Sequence, residues 1–238
     1  DELVLRGYEV TIFDNLDPQI HTDGQLPDYL NRQARFIQGD VRDYEALKLV
    51  VSEADIIFHE AASVGVGQSQ YEIKKYVDVN VGGTANLLDI LANHKHQVRK
   101  LIVAASMSSY GEGQYQCETC GSVRPDLRPD HQMADGDWEQ HCPTCQATIR
   151  YAPTLESAYQ YPNSIYAQTK KDQEDMVLNI GRTYDLPSIA LRYFNAYGPR
   201  QSLSNPYTGV MAIFLSRLKN DHTPVIYEDG LQTRDFVS

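Results

Sequence analysis

Short apolar runs alternate along this chain with stretches whose apolar residues recur at helical spacing, and that alternation limits the fold more than any other feature. The runs "YEVTIF" (Tyr8–Phe13), "RFIQ" (Arg35–Gln38), "DIIFHEAA" (Asp55–Ala62), "KLIVAAS" (Lys100–Ser106) and "PSIALRYF" (Pro187–Phe194) are rich in Val, Ile and aromatic residues. Between them, "DYEALKLVVSE", "NVGGTANLLDILANH" and "SIYAQTKKDQEDMVLNIGRTY" space their apolar residues as helices with one buried face do. Strands buried on both faces read as nearly continuous apolar runs, so the pattern predicts an α/β fold: a doubly wound parallel sheet with helices on both faces. Open sheets of this kind bind ligands at the carboxyl ends of their strands.

Two stretches break the alternation. Residues 112–155 hold all four cysteines and the single Trp, are polar, and show no core-forming periodicity; they read as an insertion. The turn-rich "NAYGPRQSLSNPYT" (Asn195–Thr208) reads as a long functional loop. The predicted organisation is a nucleotide-binding unit over 1–111 and 156–194, the insertion over 112–155, and part of a substrate-binding region over 195–238. The chain opens on what reads as the tail of a helix, turns at Gly7, and stops at "TRDFVS" just after a polar turn, so it reads as an internal fragment. The net charge of −11 argues against nucleic acid as the main partner, because phosphate backbones need a basic surface. No apolar run approaches the roughly 18–20 residues that span a bilayer, and no signal peptide is visible, so the expectation is a cytoplasmic protein without a membrane partner.

The residues at strand ends carry the candidate chemistry. Asp14 ends the first run; an acid there, roughly 20 residues past a glycine-rich turn, accepts hydrogen bonds from the ribose hydroxyls of NAD and repels a 2′-phosphate. That turn would precede residue 1. Taken alone, Asp14 also fits a solvated turn. In "GDVRD" (Gly39–Asp43), Asp43 suits a helix N-cap, whereas Asp40 and Val41 are candidates to contact adenine. Tyr166 and Lys170 are four residues apart on a predicted helix and therefore share a face. A lysine ammonium beside a phenol favours phenolate, so Tyr166 is a candidate general base, with Ser106 at the preceding strand end completing a hydrogen-bonded trio.

Cys117-x-x-Cys120 and Cys142-x-x-Cys145 are two knuckles with 21 residues between them (121 to 141). Two such pairs are the pattern of a structural Zn²⁺ held by four thiolates, with no open position for catalysis. His131 and His141 are alternative ligands from the same stretch, and two disulfides are a competing reading that a reducing compartment disfavours. A metal here would fold a segment too polar to build its own core.

"HEAA", "NVGGT", "SMSSYG", "YAQTK" and "LRYFNAYGPR", in this order, resemble the extended short-chain dehydrogenase/reductases, and more narrowly the NAD-dependent nucleotide-sugar epimerases and dehydratases. The likeness covers nearly all of the chain except the cysteine segment. It implies a Rossmann-type domain whose first strand and glycine turn lie outside this sequence, and a homodimer built through two helices. It implies that Asp14, Asn15, Asp40, Val41, Ala61, Ala62 and Asn80 serve NAD, that Ser106, Tyr166 and Lys170 are catalytic, with Tyr166 and Lys170 also at the cofactor, and that Ser106, Asn195, Val210 and Arg234 meet a nucleotide-diphosphate sugar. Arg234 and Asn195 would grip the diphosphate, a task that suits the guanidinium fork.

The dehydratases of the family place Thr-Asp-Glu where this chain has Ser106, Met107 and Ser108, and a 3,5-epimerase of the same fold would want a cysteine at the position of Ser108. The resemblance therefore implies 4-epimerisation, by oxidation and re-reduction at C4. "AASVGVGQSQYEI", "SMSSYGEG" and "NPYTGVMAIF", with the cysteine segment, resemble bacterial enzymes that interconvert dTDP-L-rhamnose and dTDP-6-deoxy-L-talose. Two other classes stay open at this point: a dehydrogenase or UDP-sugar epimerase of the same family, and a non-catalytic NAD sensor whose zinc ribbon meets a partner.

Overall fold

A computed structural model describes residues 1–21, 24–201 and 209–238. A short helix α1 (Glu2–Leu5) leads into β1 (Thr11–Asp14), β2 (Arg35–Gln38), α2 (Tyr44–Ser52) and β3 (Ile56–His59). Then come α3 (Val66–Ser69), α4 (Ile73–Tyr76), a π-helical turn (Val77–Gly82), α5 (Gly83–Asn93) and β4 (Lys100–Ser106). A 3₁₀ turn (Met107–Tyr110) is followed by β5 (Gln114–Cys117), β6 (Gly121–Val123), α6 (Asp130–Ala134) and β7 (Arg150–Ala152). The chain continues through α7 (Ile165–Thr183), β8 (Ser188–Tyr193), β9 (Asn195–Ala196), α8 (Val210–Lys219) and β10 (Phe236–Val237). Among the described residues no helix is long and apolar enough to cross a membrane.

The parallel strands are present but do not form one sheet. β1 pairs with β2, and β3-β4-β8 form a separate three-stranded parallel sheet. The predicted first strand is also shorter: Tyr8 and Glu9 precede the β1–β2 pairing, which starts at Thr11 opposite Arg35. Between the two sheets lies a cleft of about 2060 Å³ lined by residues of both β1 and β3.

Strand register decides which side chains form the core. Ile57, Leu101, Val103 and Ala190 lie on one face of the three-stranded sheet and pack with Leu87 and Leu91 of α5 and Val177 of α7. Burying a side chain of this size is worth about 1.5–3 kcal/mol, so this face anchors the fold. Phe58, Ile102, Ile189 and Leu191 have the opposite parity. Phe58, Ile189 and Leu191 are exposed, and all four line the cleft. The helices expected on both faces therefore cover only one face among the described residues.

Local signals set the helix starts. Asp43 caps α2, its Oδ1 accepting from the Ala46 amide at 3.1 Å. Ser164 caps α7 through the Ala167 amide at 3.1 Å. The run 80–94 is not one helix, because its first residues belong to the π-helical turn, which turns Asn80 fully into the interior. Gly83 lets α5 approach the chain after β2: a Cβ there would stand 2.4 Å from Val41 Cγ2.

The cysteine segment is not without structure. β6-β5-β7 form an antiparallel sheet, Tyr115 facing Val123 on one side and Tyr151 on the other. The core of this lobe consists of Cys117, Cys142 and Ile149, flanked by Tyr115 and Val123. A core of this size is far too small to hold about forty residues folded by burial alone.

Candidate active site

Ser106 ends β4 and also starts the 3₁₀ turn, accepting from the Ser108 amide at 3.2 Å and from the Ser108 hydroxyl at 2.8 Å. α7 lies against β4 and brings Tyr166, in its first turn, beside Ser106, whose hydroxyl acts to lower the phenol's pKa. The Tyr166 amide donates to Ser69 Oγ at 3.0 Å, and its ring stacks edge-on against Tyr76 with centroids 6.3 Å apart. Lys170, one turn further along α7, is buried at 4% exposure and donates from Nζ to Gln173 Oε1 at 3.0 Å.

Electrostatics depart from the sequence expectation. Burial pushes the Tyr166 phenol above its ordinary range, and the neighbouring Ser106 hydroxyl offsets this only in part. Burial also pulls Lys170 down to about 8, with the carboxylate of Glu60 acting against the shift. A lowered phenol pKa beside Lys170 is therefore not what the ligand-free chain displays, because desolvation acts on both groups and the sequence pattern carries no burial.

A buried polar chain that the sequence reading missed lies behind Lys170. Gln173 Nε2 donates to Thr84 Oγ1 at 2.8 Å, and His59 Nε2 stands 2.8 Å from the same oxygen. Thr84 Oγ1 in turn donates to the Asn80 carbonyl at 2.6 Å. Burial first, and then the charge of Lys170, pull the His59 imidazole down to about 4, which keeps it neutral. The available signals were a His closing an apolar strand and a Gln three residues past Lys170 on one helix face.

The six expected cofactor residues nearest the amino end share one site. Asp14, Asn15, Asp40, Val41, Ala61 and Ala62 all line the cleft at the carboxyl ends of β1, β2 and β3. Asp14 Oδ1 accepts from the Leu16 amide at 2.7 Å, in a left-handed turn with Leu16 φ at 55°, so the turn reading of this residue is also present. Asn15 Nδ2 donates to Asp40 Oδ2 at 3.0 Å. Asp40 is forked by Arg42 (Nε–Oδ1 2.9 Å, Nη2–Oδ2 2.6 Å), and that guanidinium holds its carboxyl well below the usual range. Asn80 lies behind the cleft: its Oδ1 accepts from the Ser63 amide at 2.7 Å, and its Nδ2 donates to the Ser63 carbonyl at 3.1 Å and to Thr169 Oγ1 at 2.9 Å. It ties the loop after Ala62 to α7.

The expected substrate residues fall into two groups. Asn195 Nδ2 stands 3.7 Å from Met107 Sδ and donates to the Asp235 carbonyl at 2.9 Å, and β9 pairs with β10 just after Arg234. Asn195, Arg234 and the turn after Ser106 are thus neighbours. Val210 begins α8 and is exposed. The part of the loop at 202–208, including Thr208, lies outside the described residues.

The four cysteines converge, their sulfurs all within 4.8 Å of one another and Cys117 Sγ 3.6 Å from Cys145 Sγ, with no disulfide. A tetrahedral site with Zn–S bonds of about 2.3 Å has sulfurs about 3.8 Å apart, so the donor set fits that ion. The Cys120 amide points at Cys117 Sγ at 3.4 Å. His141 instead pairs with Asp137 (2.7 Å), and His131 is exposed on α6; neither belongs to the cluster.

A sequence profile of the NAD dependent epimerase/dehydratase family matches residues 1–129 and 143–238. The chain belongs to this family. A dTDP-L-rhamnose 4-epimerase of Burkholderia thailandensis is 36% identical over 241 residues, covering 100% of this chain and 65% of the relative. Among solved structures, the UDP-glucose 4-epimerase of Thermotoga maritima with UDP-glucose is 28% identical with a TM-score of 0.76, covering 100% of this chain and 63% of the other. The Thermus thermophilus UDP-glucose 4-epimerase in complex with NAD is 26% identical with a TM-score of 0.73, over 99% and 64% of the two chains. The family match skips 130–142, inside the cysteine lobe.

Proposed function

We propose that the protein carrying this chain is an NAD-dependent nucleotide-sugar 4-epimerase that converts dTDP-L-rhamnose to dTDP-6-deoxy-L-talose. The observation that carries the reading is the packing of α7 on β4, which sets Tyr166 beside Ser106 at the strand's carboxyl end, with buried Lys170 one turn along the same helix. NAD, when bound, would take the hydride from C4 and return it to the other face. The cleft suits it, because it runs past the ends of β1, β2 and β3 and offers the Asp14 carboxylate to a ribose. Asn15, Asp40, Val41, Ala61 and Ala62 would form its walls, and Asn80 would hold the Ala62–Ser63 loop against it. Tyr166 takes the O4 proton as a phenolate, the form the Lys170 ammonium would favour once substrate is bound, and gives the proton back during reduction, so hydride and proton both balance to zero. Ser106 orients the O4 hydroxyl, and Lys170 supplies positive charge behind the phenol and holds the nicotinamide ribose.

Epimerisation is favoured over dehydration by the side chains that follow Ser106. Met107 carries no proton to move, and the Ser108 hydroxyl is committed to Ser106. Removing water from the sugar needs an acid and a base there, and neither is present. Asn195, Val210 and Arg234, within a substrate region over 195–238, would receive the sugar and its diphosphate. The Burkholderia relative supports the rhamnosyl substrate; UDP-glucose bound to the Thermotoga neighbour supports a UDP-sugar as the second reading. Residues 112–155 form a lobe that binds one structural Zn²⁺ through Cys117, Cys120, Cys142 and Cys145. The enzyme works in the cytoplasm as a homodimer.

The test is proton NMR of dTDP-L-rhamnose incubated with the complete gene product and no added coenzyme. Appearance of the C4 epimer, abolished by Tyr166→Phe, is the expected result. Turnover of UDP-glucose with dTDP-L-rhamnose untouched would replace the sugar assignment, and inertness toward both would refute the epimerase reading.

A further inference from the structure

The cysteine lobe reaches well beyond its own sheet. Arg128, midway between the two knuckles, forks onto Glu228 (Nη1–Oε2 3.0 Å, Nη2–Oε1 2.6 Å), while Nη1 also donates to the Trp138 carbonyl at 2.7 Å. Both side chains are only 17% exposed, so water screens this pair less than an ordinary surface ion pair. Parallel N–H···O⁻ bonds of this kind fix orientation as well as distance.

Glu228 begins a tightly linked run. Its backbone is left-handed, with φ at 56°, a conformation that a residue other than glycine keeps only when its surroundings hold it there. The Arg128 fork holds its carboxyl below the usual range, and the Gln232 side chain four residues on acts in the same direction. Gln232 Oε1 in turn accepts from Arg234 Nη2 at 3.4 Å. Arg234 otherwise donates to the Thr233 carbonyl at 2.7 Å, and among the described residues it has no carboxylate partner. At the far end the Asp235 carbonyl holds Asn195. The arginine expected to grip a diphosphate thus stands between two anchors, one of which belongs to the lobe.

We propose that Arg128 is a positioning residue for Arg234, acting through Glu228 and Gln232, so that the cysteine lobe sets the aim of the diphosphate-binding segment. The inference rests on the reading of Arg234 given above. Its signature is a change in affinity without a change in chemistry, because the Ser106–Tyr166–Lys170 cluster is built on β4 and α7 and does not depend on Arg128.

The complete gene product is compared with Arg128→Ala, Arg128→Lys and the exchanged pair Arg128→Glu with Glu228→Arg. Hydrogen exchange of the ligand-free protein reports on residues 225–235, calorimetry with dTDP gives diphosphate affinity, and turnover gives kcat and KM. Expected for Arg128→Ala are faster exchange in 225–235, dTDP affinity and KM weakened about tenfold, and kcat within about twofold. Arg128→Lys, which keeps the charge but loses the fork, falls between, and it carries the test if the alanine variant does not fold. The exchanged pair recovers most of the lost affinity. Faster exchange with unchanged dTDP affinity, or a fall in kcat at constant KM, overturns the proposal. Failure of the unmodified protein to bind dTDP or UDP overturns the reading of Arg234 instead, and the positioning role with it.

Discussion

Replacing Lys170 with Met should make the chain more stable at neutral pH, even though Lys170 is proposed to be essential. Burial lowers this lysine from 10.5 to about 8, which means that the fold disfavours its charged form. At 1.36 kcal/mol for each tenfold change in proton affinity, holding the ammonium in the folded state at pH 7 costs about 3 kcal/mol. The substitution also removes the hydrogen bond to Gln173, worth about 1 kcal/mol, leaving a net gain of about 2 kcal/mol. The sign follows from linkage: the folded pKa lies below the unfolded one, so the penalty is full below pH 8 and fades as pH rises toward 10.5. Among the groups that face Lys170, Glu60 acts against the shift, neutral His59 carries no charge at these pH values, and Tyr166 stays protonated because burial raises it. Urea denaturation of both proteins at pH 7 and pH 10 gives the stability gap, which should shrink by about 2.5 kcal/mol between the two. The change with pH is fixed by the folded and unfolded pKa values alone, so the Gln173 hydrogen bond adds no separate contribution to it. A gap equal at both pH values, or a Met variant weaker by more than about 1 kcal/mol at pH 7, would refute the argument that burial dominates this site.

Three further outcomes can be measured. His59, neutral in the fold with a pKa near 4 against 6.5 unfolded, contributes stability that is present above pH 6.5 and lost as pH falls toward 4. Relative to His59→Asn, the unmodified chain should therefore lose about 2.5 kcal/mol between pH 7 and pH 4.5, and parallel acid titrations would disprove this. Glu174, 3% exposed, receives Arg192 (Nη2–Oε1 2.5 Å) and Gln160 (2.9 Å), so Glu174→Leu should cost about 3 kcal/mol and lower Tm by roughly 6–12 °C in a scan; a loss below about 1 kcal/mol would show that the pair is not desolvated. Protein expressed with zinc should carry about one ion per chain by elemental analysis, and Cys142→Ser should release it; a metal-free lobe that stays protected from exchange would contradict the four-thiolate site.

What the sequence made legible was local. Ser106 and the Tyr166/Lys170 pair could be read because a strand end and a four-residue helical spacing fix where such side chains go, and Asp43 capped its helix as its type predicts. The Gln173–Thr84–His59 chain could not be read, because its members lie 89 and 114 residues apart for Gln173 and 25 apart for His59 and Thr84. Polar partners at such separations leave no period. Arg128 and Glu228, 100 residues apart, stayed hidden for the same reason. The π-helical turn was invisible because a single i→i+5 turn leaves no periodicity in Val77–Gly82, and only the burial of Asn80 gives it a purpose. The upward shift at Tyr166 leaves no trace in the sequence, because spacing reveals a neighbouring charge but not the loss of water around both groups. The lobe escaped the periodicity test because β6 and β7 are three residues long and its core centres on cysteines.

The pairing of β5 with β7 has a consequence for how such a protein can be rebuilt. Gln114 lies directly opposite Ala152, so the lobe's two connections to the rest of the chain leave side by side, about 5 Å apart as in any antiparallel pair. A module attached this way can be removed and its stumps closed by a short turn, or exchanged for another, without moving β4 or α7. A chain lacking the module would keep its proton-handling cluster but lose the arm that steadies Arg234. Grafting a differently shaped module between the same stumps is accordingly a route to retuning how tightly the protein holds a diphosphate while leaving the reaction as it is.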